Sequence, residues 1–343
     1  PIPHPPVPMP TRLAITLGDP NGIGPEVLLK CLHDPDLASS MAPIVIGSAH
    51  VLRIHADVLG YTDLDIHAVE TIPAEIPTGA VTVLDVTGGA EPDVAFGAVT
   101  KEGGTLAMDA VDRAVDACIA SEVDAMVTAP ISKDAIAKAG YTVPGHTEFI
   151  SQKTGGHQPT MMMVAGDLRV GLVTAHIPIA HVAAGITETA ILQKLEVMVG
   201  ALKQDFGIDA PRVAVLGLNP HAGDGGVLGT EEQEIIEPAI ETARSRAMQV
   251  DGPLPADGFF ATQLDAGYDA ILAMYHDQGL VPFKALAFDQ GVNYTAGLPI
   301  VRTSPDHGTA YGIAGKGIAR PGSMRSAIVE AVAIARRRKK IQN

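Results

Sequence analysis

Short apolar runs alternate with stretches of helical periodicity along most of this chain. The runs Leu13–Thr16, Pro43–Gly47 and Ala125–Pro130 are apolar at successive positions, which is typical of strands buried on both faces of a parallel sheet. Between them, apolar residues recur at helical spacing, as they do from about Thr105 to Ile119. This alternation predicts an α/β fold with a mainly parallel sheet and flanking helices.

Further helices are expected from about Gly24, from about Ser132, near Thr187–Phe206 and near Ser323–Arg337. Pro25 suits the first position of a helix, and Thr230 with Gln233 forms the spacing of a capping box before a helical segment. The basic run 336–340 follows the last helical pattern. Because a helix C-terminus favours cations, we interpret this run as a solvated helix end.

Three later apolar runs each finish in a histidine: Val170–His176, Val213–His221 and Ala270–His276. Ligands of open α/β sheets gather at the carboxyl ends of the strands, so these three imidazoles can converge on one place. Imidazole is the commonest protein ligand for divalent transition metals. The alternative is that each histidine is an ordinary polar residue at the start of a loop, since the spacing matches no short-range metal motif. The pattern alone leaves both interpretations open.

The composition narrows the class of protein. A chain of 343 residues exceeds the usual size of one hydrophobic core and predicts two lobes. The net charge of −15 and the absence of tryptophan argue against nucleic acid and anionic membrane surfaces as partners. No apolar run reaches the ~18 residues of a membrane helix. Residues 1–6 lack the apolar core of a signal peptide, and the two cysteines show no disulfide framework. We therefore expect a cytoplasmic protein.

An acidic protein that binds an anion must gather its few cations locally. Candidates downstream of His276 are Lys284, which we expect to follow a proline-containing turn, Asn293 and Arg302. His146 and Thr147 stand at a predicted helix start after a turn at Pro144, where both can donate to a phosphate. Each candidate alone is more often a surface residue, and Thr147 is alternatively a helix cap.

Two glycine-rich segments are ambiguous. Gly18–Glu26 joins a strand to a helix but matches neither the dinucleotide fingerprint nor the P-loop, and a structural role is the simpler interpretation. The segment Ser304–Ala310, followed by Ile313–Ala319, is small and glycine-rich enough to lie against a nucleotide. The alternative for that segment is a mobile turn.

Six motifs together resemble one family. They are Gly18–Glu26, Thr128–Lys133, Gly145–Phe149, Asn219–Gly223, Tyr275–Leu280 and Arg302–Ala310. In this order they are similar to the 4-hydroxythreonine-4-phosphate dehydrogenases of vitamin B6 synthesis, and the resemblance runs from about residue 12 to residue 320. It is less specific for one substrate, because relatives act on threonate or erythronate phosphates or on aromatic dihydrodiols.

The resemblance implies a role for each candidate. The metal ligands would be His176, His221 and His276. The substrate-binding residues would be His146, Thr147, Lys284, Asn293 and Arg302. The cofactor-binding residues would be His307, Gly308, Thr309 and Ala310, in a loop like that of isocitrate and isopropylmalate dehydrogenases, whose fold the family shares in outline. The catalytic base would be Lys284 or Asp257.

The resemblance also implies an architecture and an assembly. The first lobe would comprise residues 1–130 and 300–343, and the second lobe, residues 131–299, would carry most metal and phosphate ligands. The active site would lie in the cleft between the lobes of a homodimer and be completed by the partner subunit. One divalent ion is expected, zinc or alternatively magnesium, cobalt or manganese.

The implied reaction is an oxidation by NAD or NADP. The substrate would be 4-phosphohydroxy-L-threonine and the product 2-amino-3-oxo-4-phosphooxybutanoate, which decarboxylates to 3-amino-2-oxopropyl phosphate. Gly18-Asp19-Pro20 favours relatives that oxidise D-threonate 4-phosphate, whereas Gly291–Arg302 favours the biosynthetic enzymes. Two alternatives from other classes are a non-redox metal-dependent lyase or hydrolase and a solute-binding protein.

Overall fold

The computed structural model describes residues 10–77, 79–143, 145–156, 158–262, 264 and 266–342. Residues 1–6 and the turn residue Pro144 lie outside this set. The chain forms two compact units, the first ending at Gly155 and resuming over Ile300–Arg336, the second comprising Gly156–Pro299 and the chain from Arg337 onward. Residues 131–155 therefore belong to the first unit and the chain from Arg337 onward to the second, whereas the expected boundaries were the reverse for both segments. No described helix is long and apolar enough to cross a membrane.

The strands are β1 (Thr11–Thr16), β2 (Met41–Gly47), β3 (Ile66–Val69), β4 (Val81–Asp85), β5 (Ala125–Thr128), β6 (Thr160–Ala165), β7 (Leu168–Leu172), β8 (Arg212–Leu216), β9 (Gln249–Leu254), β10 (Ala270–Ala273), β11 (Val292–Ala296) and β12 (Arg302–Pro305). The helices are α1 (Gly24–Leu32), α2 (Pro35–Ser39), α3 (Ala49–Leu59), α4 (Lys101–Ile119), α5 (Lys133–Lys138), α6 (His146–Lys153), α7 (Val182–Gly185), α8 (Glu188–Gln204), α9 (Glu237–Ser245), α10 (Ala256–Thr262), α11 (His276–Ala287) and α12 (Gly322–Gln342).

The first unit is built on a parallel sheet. Its strand order is β3-β4-β2-β1-β5-β12, and every one of these pairs is parallel. Leu13, Ile15 and Ile44–Ile46 have no solvent exposure, as expected for strands covered on both faces. The predicted α/β class with a mainly parallel sheet is confirmed.

The second unit has the strand order β11-β6-β7-β10-β8-β9. Strand β6 runs antiparallel to both of its neighbours, while β7, β10, β8 and β9 are parallel. The three strands that precede the predicted metal histidines, β7, β10 and β8, are therefore adjacent and point the same way. Their carboxyl ends lie side by side, as the sequence predicted.

Two local predictions in this unit are wrong. Thr230 does not cap a helix; a π-helix spans Glu232–Ile236, and Glu231, at its N-cap, makes no side-chain cap bond. Pro282 lies inside α11, so Lys284 belongs to a helix and does not follow a proline turn. In both cases packing against the rest of the unit overrides a local signal.

The basic run at the chain end is not simply solvated. Arg336 donates to Thr11 Oγ1 at 3.2 Å and to the Ser40 carbonyl at 2.7 Å. Arg338 donates from Nε and Nη2 to the two carboxylate oxygens of Asp205, at 2.6 and 3.0 Å. The last helix therefore continues through the basic run to Gln342. Arg336 and Arg338 in this run contact other segments of the protein, so the run is not a solvated helix end.

Candidate active site

Side chains join the carboxyl ends of the three adjacent strands. Thr174, after β7, donates its hydroxyl to the carbonyl of Met274, after β10, at 2.8 Å. Gln278 donates to the carbonyl of Gly217, after β8, at 2.6 Å, and accepts the N–H of Met274 at 2.7 Å. The loops that carry His176, His276 and His221 therefore start from one fixed frame.

His176 and His276 lie next to each other. Their ring centroids are 5.8 Å apart, and both line a cavity of about 270 Å³. His276 Nδ1 is 2.7 Å from Asp277 Oδ1. An ionised carboxylate only accepts hydrogen bonds, so this contact places the proton on Nδ1 and leaves the Nε2 lone pair for a ligand.

The two imidazoles suit a shared divalent ion. A metal–nitrogen bond of about 2 Å places each ring centre about 3 Å from the ion, which limits the two ring centres to roughly 6 Å. The observed 5.8 Å lies within this limit. A carboxylate that orients a ligating histidine is also a regular companion of such sites.

His221 lies apart from this pair. It is exposed and lines a second cavity of about 500 Å³ together with Asn219, Asp257, Tyr275 and Gln278. Tyr275 lines both cavities. Over the part of the chain that the structure describes, no three His, Cys, Asp or Glu side chains are grouped closely enough to hold an ion. The structure brings together two of the three predicted ligands.

Arg302 is a buried cation in the first unit. It is only 2% exposed, and its Nε and Nη2 donate to Thr128 Oγ1 at 3.1 and 2.7 Å. Its Nη1 lies 3.5 Å from Thr147 Oγ1. Burial lowers the pKa of Arg302 to about 10, against the opposing effect of Glu148. The guanidinium is therefore still charged at neutral pH.

His146 lies beside this guanidinium at the first position of α6. Gly145 occupies the N-cap, so the alternative that Thr147 caps the helix is wrong. Burial, and then repulsion from Arg302, lower the pKa of His146 well below 6.5. Its Nε2 atom is buried without a hydrogen-bond partner. A buried polar atom of this kind is costly unless a ligand satisfies it.

The remaining candidates in the second unit lie on three elements. Lys284 is half-buried in α11, and Asn293 is half-buried on β11. The Oδ1 atom of Asn293 is buried and has no hydrogen-bond partner. Asp257 is exposed in the first turn of α10 and lines the cavity of His221.

The two glycine-rich segments are bonded to each other. The Ile23 N–H donates to the Thr309 carbonyl at 3.0 Å, and the Tyr311 hydroxyl donates to Asp19 at 2.6 Å. The Ala319 N–H donates to the Glu26 carboxylate at 2.7 Å. The structural interpretation of Gly18–Glu26 is confirmed, because its carboxylates are used to hold the second loop.

The predicted cofactor residues lie in that second loop. His307 Nδ1 is 3.1 Å from the Gly308 carbonyl, Gly308 is exposed, and Ala310 has a positive φ of 44°. Below them, Asp19 is fully buried and burial raises the pKa of its carboxyl group. This network argues against the alternative of a mobile turn.

Comparison with known proteins decides the family. The family model described as pyridoxal phosphate biosynthetic protein PdxA matches residues 39–331. The chain belongs to the PdxA family. The 4-hydroxythreonine-4-phosphate dehydrogenase of Bacteroides thetaiotaomicron is 46% identical over 333 residues, 96% of this chain and 90% of that protein.

Solved structures of PdxA relatives have the same fold. The 4-hydroxythreonine-4-phosphate dehydrogenase of Klebsiella pneumoniae superposes with a TM-score of 0.85 at 36% identity, covering 95% of this chain and 98% of that one. A terephthalate 1,2-cis-dihydrodiol dehydrogenase of Burkholderia xenovorans superposes with a TM-score of 0.64 at 31% identity, covering 94% and 98%. The fold therefore accommodates relatives named for different substrates.

Several residues that shape the site in this PdxA-family chain were missed by sequence reasoning. They are Thr128, Asn219, Glu232, Asp277 and Gln278. All except Glu232 lie inside the quoted motifs, so the motifs carried the signal. Their roles depend on contacts between distant segments, such as Arg302 with Thr128, and a single sequence does not show these contacts.

Proposed function

We propose that this protein is a divalent-metal-dependent dehydrogenase that oxidises 4-phosphohydroxy-L-threonine with NAD or NADP. The observation that carries the proposal is the His176–His276 pair, 5.8 Å apart at the ends of adjacent strands, with Asp277 orienting His276. The support from relatives is the 46% identity to a protein named 4-hydroxythreonine-4-phosphate dehydrogenase. The product would be 2-amino-3-oxo-4-phosphooxybutanoate, which decarboxylates to 3-amino-2-oxopropyl phosphate.

His176, His276 and His221 would hold one divalent ion, with zinc the first choice and cobalt, manganese or magnesium as alternatives. When bound, the ion lowers the pKa of the substrate alcohol and the nicotinamide accepts the hydride. Lys284 or Asp257 would take the alcohol proton, since both belong to the unit that carries the histidines. Asp277 would keep the His276 ring in the ligating tautomer.

The phosphate would be held by Arg302, Thr147 and His146, together with Lys284 and Asn293. Arg302 brings a fixed charge that is already stripped of most of its water, which strengthens its interaction with an anion. The partnerless Nε2 of His146 and Oδ1 of Asn293 would be satisfied by the substrate. Binding of this remote group helps to orient the alcohol at the reacting end.

The nicotinamide cofactor would lie against His307, Gly308, Thr309 and Ala310. The exposed Gly308 allows close approach of a ligand, while the contacts of Thr309 and Tyr311 to the Gly18–Glu26 loop keep the backbone in place. The two free cysteines, Cys31 and Cys118, suit a cytoplasmic enzyme.

We also propose a homodimer in which the partner completes the site. Large exposed apolar side chains follow two of the three histidines closely in the chain: Ile179, after His176, is 74% exposed, and Val227, after His221, is 77% exposed. Large apolar side chains left exposed beside functional residues are typical of a surface that another protein covers. A second copy of the chain would bury them and enclose the histidines.

Two observations bear on the choice of substrate. Asp19 is fully buried and bonded to Tyr311, so the Gly18–Pro20 departure from the biosynthetic pattern gives no support to a threonate phosphate. The terephthalate dihydrodiol dehydrogenase relative shows that the family includes a protein named for a substrate without phosphate. The buried Arg302 favours the phosphorylated substrate for this chain.

The decisive experiment follows reduced nicotinamide formation with 4-phosphohydroxy-L-threonine, D-threonate 4-phosphate and a cis-dihydrodiol in parallel. We expect turnover with the first substrate, loss of turnover with a chelator and recovery on adding a divalent ion. Faster turnover of D-threonate 4-phosphate would reassign the substrate. Product formation without nicotinamide would indicate a lyase or hydrolase, and tight binding without turnover would indicate a binding protein.

The metal assignment is tested separately by metal content. Replacement of His176, His221 or His276 by Ala should lower both bound metal and turnover. His181 is an exposed histidine that follows His176 closely in the chain. The matched control is therefore His181→Ala, which should keep its metal. A His221→Ala protein with full metal occupancy would contradict the assignment of His221.

A further inference from the structure

The segment that carries His221 has a backbone conformation that is unfavourable unless other contacts stabilise it. The φ angles of five consecutive residues, His221 to Gly225, are 54°, 50°, 80°, 45° and 64°. L-amino acids visit this left-handed region as single residues, and three of these five carry a side chain: His221, Ala222 and Asp224. A strained run of this kind persists only where surrounding contacts hold it.

The strongest of these contacts is a buried carboxylate. Glu232 is 1% exposed, and its Oε1 accepts the backbone N–H groups of Leu218 and Asn219, both at 2.7 Å. Its Oε2 accepts the side-chain amide of Asn219 at 2.9 Å. Three donors from the two residues just before the turn therefore converge on one side chain.

The turn closes directly over this carboxylate. A Cβ atom at Gly223 would lie 2.7 Å from Glu232 Oε2, and one at Gly217 would lie 2.9 Å from the Cα of Ala222. On the other side, the Leu228 N–H donates to the Gly223 carbonyl at 3.0 Å. The backbone thus approaches Glu232 as closely as glycine permits.

Glu232 itself lies on a partly buried element. It begins the π-helix Glu232–Ile236, and Ile236 has no solvent exposure. A π-helical turn is rare and occurs frequently at functional sites. The carboxylate therefore projects from a helical element that lies outside the turn that it supports.

From these contacts we infer that Glu232 is a positioning residue for the metal centre. It fixes the backbone of Leu218 and Asn219 so that the left-handed turn keeps His221 at the cavity lined by Tyr275. It acts on His221 through the backbone. The inference rests on the proposed function, because it concerns His221 as a metal ligand.

The test compares Glu232→Gln and Glu232→Ala with Asp269→Asn, which changes a carboxylate that binds the opposite end of the same strand, β8. Asp269 accepts the Arg212 N–H at 2.8 Å at the beginning of β8, whereas Glu232 accepts N–H groups after its carboxyl end. The readouts are Co²⁺ affinity by competition with a chromogenic chelator, hydrogen exchange of the amides of residues 217–225, and Tm. Co²⁺ stands in for the native ion.

We expect Glu232→Gln to weaken Co²⁺ binding about tenfold, the lower end of the loss usual for residues that support ligands, and Glu232→Ala to weaken it more. The Leu218 and Asn219 amides should exchange faster in both variants. Asp269→Asn should lower Tm without changing Co²⁺ affinity. In a His221→Ala background, Glu232→Gln should cost no further affinity, because the ligand it supports is already gone.

The outcomes separate the two hypotheses. If the wild-type protein binds Co²⁺ and both Glu232 variants bind it equally well, the positioning role is wrong and the metal centre stands. The role would also be overturned if Glu232→Gln lowered Co²⁺ affinity as much in the His221→Ala background as in the wild-type protein. Glu232 would then act on the whole unit and not through His221. If the wild-type protein binds no Co²⁺, the proposed metal centre is wrong and the role of Glu232 falls with it. Should Glu232→Ala fail to fold, Glu232→Gln decides.

Discussion

Arg302 has almost no contact with solvent, and this burial determines what its substitution does. An ion-paired hydrogen bond to phosphate contributes about 1.5–3 kcal/mol, so Arg302→Ala should weaken binding of the phosphorylated substrate by roughly one to two orders of magnitude. Because the side chain is 2% exposed, the same variant also leaves a cavity and should lower Tm. Substrate KM and Tm, measured together, separate the two effects.

The control for Arg302 is the dephosphorylated substrate. It should react slowly with the wild-type protein and be almost indifferent to Arg302→Ala. Thr128→Val removes the hydroxyl that accepts two guanidinium hydrogen bonds, and it should shift KM in the same direction by less. An equal loss for both substrates would mean that Arg302 is structural and the phosphate binds elsewhere.

His55 makes stability depend on pH. It is 1% exposed, and its Nε2 is 2.8 Å from the Pro20 carbonyl, so the neutral ring donates to that oxygen. Burial lowers the pKa of His55 below 6.5. The unfolded chain then binds a proton that the folded chain does not, and stability falls as the pH drops below about 6.5.

We expect urea unfolding between pH 7 and pH 5 to show this loss, with His55 contributing at most about 1.4 kcal/mol per pH unit and His146, whose pKa is also lowered by burial, adding to the slope. His55→Gln keeps a donor for the Pro20 carbonyl and should flatten the slope. His33→Gln, at an exposed ring stacked on Tyr61, should leave it unchanged. Equal slopes in the wild-type protein and His55→Gln would refute the assignment.

At the scale of elements, the end of α12 is held by a buried ion pair. Arg338 and Asp205 have side-chain exposures of 11% and 2%, and the Tyr294 hydroxyl also donates to Asp205. Arg338→Met would leave the carboxylate buried without its cation, which typically costs about 3–5 kcal/mol. The urea midpoint should fall accordingly.

The matched control lies on the same helix. Arg325 pairs with Asp34, and both side chains are far more exposed, at 51% and 32%. Exposed pairs contribute little to stability, so Arg325→Met should leave the midpoint nearly unchanged. Similar losses in both variants would show that α12 is sensitive to any substitution.

The same elements show what the sequence could predict. Mostly buried strands such as β8 are evident from their apolar residues alone, and the helices expected near Thr187 and Ser132 begin there, with both side chains as caps. The left-handed turn at His221 was beyond local reasoning. It depends on Glu232, whose partners lie 13 and 14 residues earlier in the chain.

The sequence named candidate site residues, but it could predict their spatial arrangement only in part. Strand order placed His176 and His276 together because β7 and β10 are neighbours, which periodicity anticipated only in outline. The burial of Arg302 was not visible in its sequence context. It results from the pairing of β12 with β5, which places the guanidinium against Thr128.

At the scale of the whole molecule, the arrangement of the histidines bears on the assembly. Within one chain, His176 and His276 lie side by side, whereas the described residues contain no group of three ligands for an ion. A homodimer with a shared centre would obtain two histidines from one subunit and the third from its partner. This hypothesis is testable by mixing inactive variants.

We expect subunit exchange among His176→Ala, His221→Ala and His276→Ala to restore activity in two of the three pairings. Suppose that each site takes two histidines from one subunit and the third from its partner. A mixed dimer in which one variant lacks a histidine of the pair and the other lacks the third histidine then has one intact site out of two. Random mixing then regenerates about a quarter of the sites of a twofold dimer. The pairing that stays inactive joins the two histidines that come from the same subunit. Recovery in none of the three pairings, in a mixture shown by native mass spectrometry to contain mixed dimers, would place all three ligands in one chain. A fully active monomer at assay concentration would refute the shared site altogether.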